Sequence, residues 1–267
     1  MKTDDPWQSG SPYERFMGRW SRKIAPLFLD WLDAAEELRW LDVGCGTGAL
    51  SRAITEKSRP RQVVGIDKSR GFLAHANRAA KDAGRLHFVE AGAEKIPAAD
   101  HYFDVAVSGL AINHFPDPVA ALREMARVVR HGGSHPGQVA LYVWDYAEGM
   151  GMLRVFWDVA ASLDPDALAL DQKRFAICHP DALASAFGEA GMHVKETRAL
   201  ETPAIFENFD DYWQPFFGGA GPASRYVGSL SPARQAELAS TLQAALPVEA
   251  DGSISLGLRA WAVRAVA

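Results

Sequence analysis

Short apolar runs alternate with amphipathic stretches between about residues 40 and 145. This alternation is typical of repeated strand–helix units that build a parallel sheet. The predicted strands cover residues 40–43, 62–67, 86–90, 103–108 and 138–144, and the predicted helices cover 49–56, 71–83 and 118–129. The central part of the chain is therefore predicted to be an α/β domain.

The flanking regions follow different patterns. Upstream, large apolar residues recur every three or four positions from Tyr13 to Trp31, which predicts an amphipathic helical region that is kinked or restarted at Pro26. Downstream, the pattern predicts a helix at 180–190 and strands at 193–201 and 254–266. The stretch between these two strands, 202–252, has a helical pattern, and an insertion of that length is usually functional.

Composition places the chain among ordinary globular proteins. Of its 267 residues, 48% are hydrophobic and 23% charged, and 28 Lys and Arg against 33 Asp and Glu give a net charge of −5. This balance argues against a dedicated nucleic-acid binder, which usually carries a basic face. We expect no nucleic-acid partner.

The cysteines and the apolar runs indicate a cellular context. Cys45 and Cys178 lie far apart without neighbouring ligands at metal-binding spacing, so we expect neither a disulfide framework nor a metal site. No apolar leader and no membrane-length apolar run is present in the sequence. We therefore expect a soluble cytoplasmic protein that is not processed and does not bind membranes.

The strongest chemical signal is the string Leu-Asp-Val-Gly-Cys-Gly-Thr-Gly at 41–48, between a predicted strand and a predicted helix. Glycines there let the backbone turn tightly and approach a ligand. Gly44, Gly46 and Ala49 also fit the dinucleotide pattern, although a lone match of that kind is weak evidence. Asp42 would repel a pyrophosphate but favour an ammonium group, so it argues against a dinucleotide.

A second acidic residue, Asp67, ends the second predicted strand. In sheets of this type, a carboxylate at that position accepts both hydroxyl groups of a ribose. The alternative is that Asp67 only caps the turn together with Ser69. The glycine string on the preceding strand favours the ribose role.

Three further segments complete a recognisable order: Ala-Gly-Ala-Glu-Lys-Ile-Pro at 91–97, Phe-Asp at the start of 103–108, and Val-Val-Arg-His-Gly-Gly at 128–133. With the glycine string and Asp67, this order resembles class I S-adenosylmethionine-dependent methyltransferases, in the branch that includes quinone-biosynthesis and other small-molecule enzymes. The resemblance covers about residues 38–145. The segments 13–22 and 142–145 resemble a bacterial subgroup of that family.

The resemblance implies a three-layer α/β sandwich with a seven-stranded, mostly parallel, Rossmann-like sheet and an antiparallel final strand. The chain would then be one methyltransferase domain, 1–267. Its expected parts are an N-terminal helical cap at 1–36, a cofactor-binding core at 38–145, and substrate-covering helical insertions at 146–177 and 202–252.

The resemblance also implies which residues hold S-adenosylmethionine. Gly44 and Gly46 would line its methionine and ribose portions, Asp67 would hold the ribose, and Ser108 with Leu110 would border the sulfonium. The complete expected set is Arg19, Asp42, Gly44, Cys45, Gly46, Asp67, Lys68, Gly92, Ala93, Glu94, Ser108 and Leu110.

Two members of that set leave alternatives open. The branch commonly has Asp where this chain has Gly92, and that Asp accepts the adenine amino group; here Glu94 or a backbone carbonyl would replace it, or adenosine binding is weaker. Arg19, with Arg22, would clamp the cofactor carboxylate if the N-terminal helix folds over the pocket. Otherwise both arginines lie on a solvated helix face.

Candidate acceptor-side residues lie outside the motifs. His114 follows the fourth predicted strand and is either a general base or a structural hydrogen-bonding residue. Trp144 ends the fifth strand, and Tyr212 and Trp213 belong to an aromatic stripe at 206–217. These three would line the substrate site, the stripe acting as a lid, or would be core residues.

The sequence thus predicts methyl transfer to a small, apolar or aromatic metabolite, with catalysis mainly by proximity. Two alternatives stay open at this point. One is a non-catalytic module that binds S-adenosylmethionine, and the other is an NAD-dependent oxidoreductase. The oligomeric state, monomer or homodimer, is left open.

Overall fold

The computed structural model describes residues 14–80, 84–132, 136–218 and 221–266. Residues 1–13, the first part of the predicted N-terminal cap at 1–36, lie outside the described residues, as do 81–83, 133–135, 219–220 and 267. Within the described part of the chain, no helix is long and apolar enough to cross a membrane.

One sheet organises the described residues. Its strands are β1 (Arg39–Val43), β2 (Gln62–Asp67), β3 (Leu86–Glu90), β4 (Val105–Gly109), β5 (Gln138–Trp144), β6 (His193–Phe206) and β7 (Ile254–Val266). Their order is β3-β2-β1-β4-β5-β7-β6. Only β7 runs antiparallel to its neighbours, β5 and β6. The predicted seven-stranded, mostly parallel α/β fold is confirmed.

Helices cover both faces of this sheet. They are α1 (Arg19–Leu32), α2 (Ala49–Lys57), α3 (Arg70–Ala79), α4 (Pro118–Val128), α5 (Gly151–Leu163), α6 (Pro180–Glu189), α7 (Phe209–Trp213), α8 (Pro222–Ser229) and α9 (Pro232–Ala245). From β1 the chain moves outward through β2 to β3, and it then returns to β4 and moves the other way. Because such crossovers are right-handed, the two directions place their helices on opposite faces. Accordingly, α1 packs on α2, and α4 packs on α6.

Local signals set several helix starts as the sequence predicts. The Ser69 hydroxyl accepts a hydrogen bond from the Phe72 N–H and caps α3. Asp117 caps α4 through the Ala120 N–H, and Pro118 takes the first helical position, where it has no intrahelical N–H to lose. These caps fix where each helix leaves the edge of the sheet.

The sixth strand is longer than predicted. It continues past Glu201 to Phe206, so the helical insertion begins after residue 206. Pro203 is accommodated in this extension because β6 is an edge strand, where a missing N–H costs little. Beyond Glu201, Ala204 and Phe206 remain buried while Ile205 is exposed, which is the alternation of a half-buried strand. With β7 it forms a two-stranded ribbon that extends past the end of β5.

The aromatic stripe at 206–217 forms a core and not an open lid. The Phe216 ring stacks on Phe156 of α5 at 4.6 Å, and Phe16 meets it edge-on at 5.0 Å. The Tyr212 hydroxyl donates to the Met152 carbonyl at 2.9 Å. This cluster joins the N-terminal region to both helical insertions.

Candidate active site

A cavity of about 580 Å³ lies at the carboxyl ends of the parallel strands, where the chain direction across the sheet reverses between β1 and β4. Open α/β sheets bind ligands at this switch point. The size is suited to a small organic ligand. Most of the predicted site residues lie in its wall: Asp42, Gly44, Cys45, Gly46, Asp67, Lys68, Gly92, Ala93, Glu94, Leu110 and His114.

The glycine loop keeps the cavity open by lacking side chains. Gly44 and Gly46 have φ values of +71° and +54°, which residues with a Cβ rarely adopt. A Cβ added at Gly44 would lie 2.7 Å from the Cβ of Ala111 on the opposite wall. The N–H groups of Gly44 and Cys45 both donate to the Ile66 carbonyl, at 2.8 and 2.9 Å. The loop is therefore held in one conformation before any ligand arrives.

Asp67 makes the turn-capping contact that the sequence offers as one alternative, and it also holds the glycine loop. Its carboxylate accepts the Ser69 N–H at 2.7 Å, the turn-capping contact, and the Gly46 N–H at 2.9 Å. A carboxylate offers about four acceptor positions. Asp67 can thus hold the glycine loop and still accept hydroxyl donors from the cavity that it lines.

Asp42 lies under the glycine loop and is completely buried. One carboxylate oxygen accepts the Ser51 hydroxyl at 2.5 Å, and the other, Oδ1, has no hydrogen-bond partner among the described residues. Burial raises the pKa of Asp42 to about 7, and repulsion from Asp67 adds to the effect, while the bond from Ser51 opposes it. A cationic ligand group would stabilise the ionised form.

Glu94 lies on the β3 side of the cavity and folds back towards Gly92. Its Oε2 atom is 3.2 Å from where a Cβ would stand at Gly92, and its Oε1 atom is buried without a partner among the described residues. The loop that carries Glu94 is held from α4. Arg127 donates to the carbonyls of Ile96 and Ala98, both at 3.0 Å, and Glu124 accepts the Ile96 N–H.

The β4 side of the cavity is apolar and aromatic. Its wall includes Leu110, Phe115, Pro116 and the Tyr142 ring. The Tyr142 hydroxyl lies 2.7 Å from where a Cβ would stand at Gly109 on the neighbouring strand, so Gly109 makes room for that ring. Leu110 has a φ of +60°, an uncommon conformation for a residue with a side chain.

His114 lies in this apolar part of the wall. Its Nε2 atom is 3.2 Å from the side-chain amide nitrogen of Asn113. The ring is accessible at its edge but is surrounded by protein walls that limit hydration. This desolvation, and secondly repulsion from Lys68, lowers the pKa of His114, so the ring is neutral at pH 7.

Two predicted cofactor residues lie off the cavity wall. Arg19 forms an ion pair with Asp211 at 2.8 Å, and its guanidinium stacks over the rings of Trp20 and Phe206. It therefore connects α1 to α7 and is not part of the cavity wall. The Ser108 hydroxyl is buried and donates to the Val43 carbonyl at 2.7 Å, which joins the ends of β4 and β1.

The three residues predicted for the substrate site, Trp144, Tyr212 and Trp213, pack as core residues, which is the alternative that the sequence left open. Trp144 and Tyr212 are 2% and 0% exposed, and Trp213 stacks on Phe209. None of the three lines the described cavity. Aromatic side chains bury a large apolar area, so their burial here stabilises the packing of the helical insertions.

The sequence reasoning missed several residues at the cavity. Ser51, in the first turn of α2, supplies the hydrogen bond to Asp42. Phe115 and Tyr142 build the apolar wall, and Ser21 brings α1 to the cavity. Tyr142 stands opposite Gly109 of β4 only through the register of the folded sheet, so the sequence holds no direct signal for this residue. Among the described residues, no cluster of His, Cys, Asp and Glu is arranged to hold a metal ion.

These features fit S-adenosylmethionine. The unpartnered Asp42 oxygen suits its ammonium group, Asp67 suits a ribose, and the partnerless Glu94 oxygen suits a donor on the base. The glycine loop leaves space that a Cβ would fill. The arrangement binds an elongated ligand across three strand ends and leaves an apolar space beside it.

Comparison with known proteins agrees with this geometry. A family described as "Methyltransferase domain" matches residues 41–135. The demethylmenaquinone methyltransferase of Bacillus licheniformis is 32% identical over 189 residues, which cover 70% of this chain and 77% of that protein. The ubiquinone biosynthesis O-methyltransferase of Paracidovorax citrulli is 38% identical over 120 residues, but the match spans only 42% of this chain and 48% of that protein.

A solved structure extends the likeness to nearly the whole fold. The phospholethanolamine N-methyltransferase 2 of Haemonchus contortus, in complex with phosphomonomethylethanolamine and S-adenosylhomocysteine, matches with a TM-score of 0.56 and 17% identity. The match covers 96% of this chain and 56% of that one. With the sequence matches and the cavity, the conclusion is that this chain belongs to the class I S-adenosylmethionine-dependent methyltransferases.

Proposed function

We propose that this methyltransferase acts on a small, uncharged aromatic acceptor of the phenol or quinol class. The observation that carries the proposal is the β4 side of the cavity. There the described wall consists of Leu110, Ala111, Phe115, Pro116 and Tyr142, with the neutral ring of His114 among them. A charged acceptor would lose hydration in this space without gaining an opposite charge.

The sheet order supports a placement for the cofactor. Asp67 at the end of β2 holds the ribose, so the two remaining parts of the molecule lie on either side of it. Asp42 under the glycine loop of β1 holds the ammonium group. The base then lies at the end of β3, beside Ala93 and Glu94, and the sulfonium faces β4 and Leu110.

When bound, S-adenosylmethionine supplies a methyl group whose bond to sulfur breaks, the electron pair staying on sulfur, while the acceptor forms the new bond and releases its proton. The chain's own task is alignment. The glycine loop and Asp67 fix one reactant, and the apolar wall fixes the other ring in line with it. Leu110 and Phe115 also border this space with surfaces that do not hydrogen-bond water.

His114 accepts the proton that a hydroxyl acceptor releases. Its lowered pKa keeps the ring unprotonated at neutral pH, as a base requires. Its position in the cavity wall places it beside the acceptor space. If catalysis relies mainly on proximity, His114→Gln lowers kcat only modestly. The loss is greatest near neutral pH, where the wild-type ring is unprotonated, and becomes smaller in acid, where the wild-type ring is itself protonated.

The names of the relatives support this acceptor class, since demethylmenaquinone and ubiquinone methyltransferases act in quinone biosynthesis by name. The alternative of an NAD-dependent oxidoreductase is disfavoured by Asp42, whose buried carboxylate would face a pyrophosphate. A non-catalytic module would need no apolar space beside the cofactor.

A panel of acceptors tests the proposal. The protein is incubated with S-adenosylmethionine and 1,4-naphthohydroquinone, catechol, glycine or phosphoethanolamine, and methylated products are measured by mass spectrometry. We expect product with at least one of the two aromatic acceptors and none with the charged amines. Methylation of glycine or phosphoethanolamine alone would contradict the uncharged acceptor class. Gly44→Val, which fills the cavity, is the inactive control.

A further inference from the structure

Gly92 and Glu94 share one small space in the cavity wall. The Glu94 Oε2 atom lies 3.2 Å from where a Cβ would stand at Gly92, which is closer than such contacts normally are. A Cβ at position 92 would therefore require the Glu94 carboxylate to shift by a few tenths of an ångström, and a larger side chain would need more of that space. Glu94 can fold back towards position 92 because Gly92 has no side chain there.

The Glu94 carboxylate lacks a donor within the described part of the protein. Its Oε1 atom is buried without a hydrogen-bond partner. The polar backbone groups nearby are already used, because the Ile96 N–H donates to Glu124 and the Ile96 and Ala98 carbonyls accept from Arg127. A buried acceptor left unpaired is unfavourable, so this carboxylate is prepared for a donor that comes from the cavity.

The sheet order indicates which part of the ligand donates a hydrogen bond to Glu94. Asp67 ends β2, the glycine loop follows β1, and Glu94 follows β3 on the opposite side of Asp67. A ribose at Asp67 with the amino-acid portion over β1 leaves the base on the β3 side. Adenine presents an exocyclic amino group as its donor.

We propose that Glu94 is the residue that recognises the 6-amino group of the cofactor's adenine, and that Gly92 is small because the Glu94 carboxylate occupies its side-chain space. Glu94 would then take the role that the resemblance assigns to an Asp at position 92. The proposal rests on the cofactor placement given above and is independent of the acceptor.

The arrangement of Gly92 and Glu94 predicts which bases the cavity prefers. An ionised carboxylate accepts hydrogen bonds and cannot donate them. A base with oxygen in place of the 6-amino group would therefore place one acceptor against another. A hydrogen bond to a charged group corresponds to a preference of about 10- to 100-fold for the amino base. A neutral amide at position 94 can turn either its oxygen or its nitrogen to the base, so it removes most of this preference.

Calorimetry on the full chain tests this with S-adenosylhomocysteine and S-inosylhomocysteine, whose bases differ at position 6, where oxygen replaces the amino group, and in the proton that the oxo base carries on N1. Wild type is expected to prefer S-adenosylhomocysteine by about 10- to 100-fold, and Glu94→Gln by less than about threefold. Gly92→Asp in the Glu94→Gln background restores a carboxylate and is expected to restore the preference. Glu36→Gln, an exposed acid that pairs with Arg59, is the control and keeps the wild-type preference.

Two results overturn the proposal, and they are distinguishable. If Glu94→Gln binds both ligands with the wild-type preference, another group recognises the base while the cofactor placement stands. If wild type binds neither ligand at millimolar concentration, the cofactor placement itself is wrong. Binding of both ligands by wild type with equal affinity also removes the role of Glu94.

Discussion

The ionised form of the Asp42 carboxyl group is unfavourable because the group is removed from water. Complete burial raises its pKa from 3.8 to about 7, so the folded protein holds a proton there that the unfolded chain releases. The stabilising effect of that proton is fully present below about pH 4 and is lost as the pH rises through 7. The whole effect is on the order of 4 kcal/mol.

We expect Asp42→Asn to change the pH dependence of stability. Between pH 5 and pH 8, wild type without ligand should lose about 3 kcal/mol that the variant keeps, because the variant has no charge to bury. Urea unfolding at pH 5, 6.5 and 8 measures this. Asp30→Asn, an exposed partner of Lys57, is the control. Parallel profiles for wild type and Asp42→Asn would show that Asp42 does not titrate in this range.

Gly44 provides a second prediction at the scale of one residue. Gly44→Ala adds a Cβ at 2.7 Å from Ala111 and keeps a positive φ, so we expect a loss of about 1–3 kcal/mol in stability and no detectable cofactor binding. Gly188→Ala is the matched control, because nothing lies within 4 Å of that position on α6. It should stabilise the protein slightly. Urea unfolding measures the stability of both variants, and calorimetry measures their cofactor affinity. Normal cofactor binding by Gly44→Ala would contradict the prediction.

The residue scale also shows where sequence reasoning is sufficient. The residues of the glycine string, Asp67 and the 91–94 segment meet because each motif ends a parallel strand, and parallel strands end at one edge. Arg19 and Ser108 stand at equally suitable positions in the sequence. Their side chains take Asp211 and the Val43 carbonyl instead, partners set by packing between distant elements.

At the scale of elements, α4 holds the base-side loop in place. Arg127 donates hydrogen bonds to the carbonyls of Ile96 and Ala98 in that loop. It also donates to the carboxylates of Glu124 and Asp100. It touches no part of the cavity, so any effect on the cofactor passes through the loop. Arg127 is a positioning residue.

We expect Arg127→Ala to weaken S-adenosylhomocysteine binding about tenfold, equivalent to 1.4 kcal/mol, while stability falls by about 1 kcal/mol. Arg127→Lys should recover stability but not binding, because an ammonium group cannot hold both carbonyls as a planar fork does. Arg234→Ala, which removes a surface pair with Glu237, is the control. A loss of stability with unchanged affinity for S-adenosylhomocysteine would show that Arg127 stabilises the fold but does not position the cofactor site.

The elements also show why some boundaries follow from the sequence and others do not. Alternation and apolar runs gave β2, β3, β5 and β7 at their observed bounds. The end of β6 was missed because Pro203 breaks central strands, and its tolerance depends on the strand lying at the edge. The aromatic stripe has one periodicity whether it faces a ligand or a helix, so only its contact with Phe156 and Phe16 decides.

At the scale of the whole molecule, the cavity is more negative than the chain's modest charge indicates. Its described wall contains three carboxylates, Asp42, Asp67 and Glu94, against one cationic side chain, Lys68. S-adenosylmethionine carries a positive sulfur that the product of methyl transfer lacks. The field therefore favours the substrate form of the cofactor over the product form.

We expect S-adenosylmethionine to bind about three- to tenfold more tightly than S-adenosylhomocysteine at 50 mM NaCl. The ratio should narrow at 500 mM NaCl, because salt screens charges in an open cavity. Lys68→Gln removes the opposing charge and should widen the ratio. Calorimetry at both salt concentrations measures this, and equal affinities at low salt would show that the carboxylates do not discriminate by charge.

The switch point between β1 and β4 has one more consequence. The cofactor-side groups come from the ends of β1, β2 and β3, whereas the apolar wall comes from β4, β5 and the segment after β4. The groups that would bind the methyl donor and the surface that would face the acceptor therefore belong to different strands. A change of acceptor specificity through Phe115 or Tyr142 need not alter Asp42, Asp67 or Glu94, so the donor site can serve more than one acceptor class.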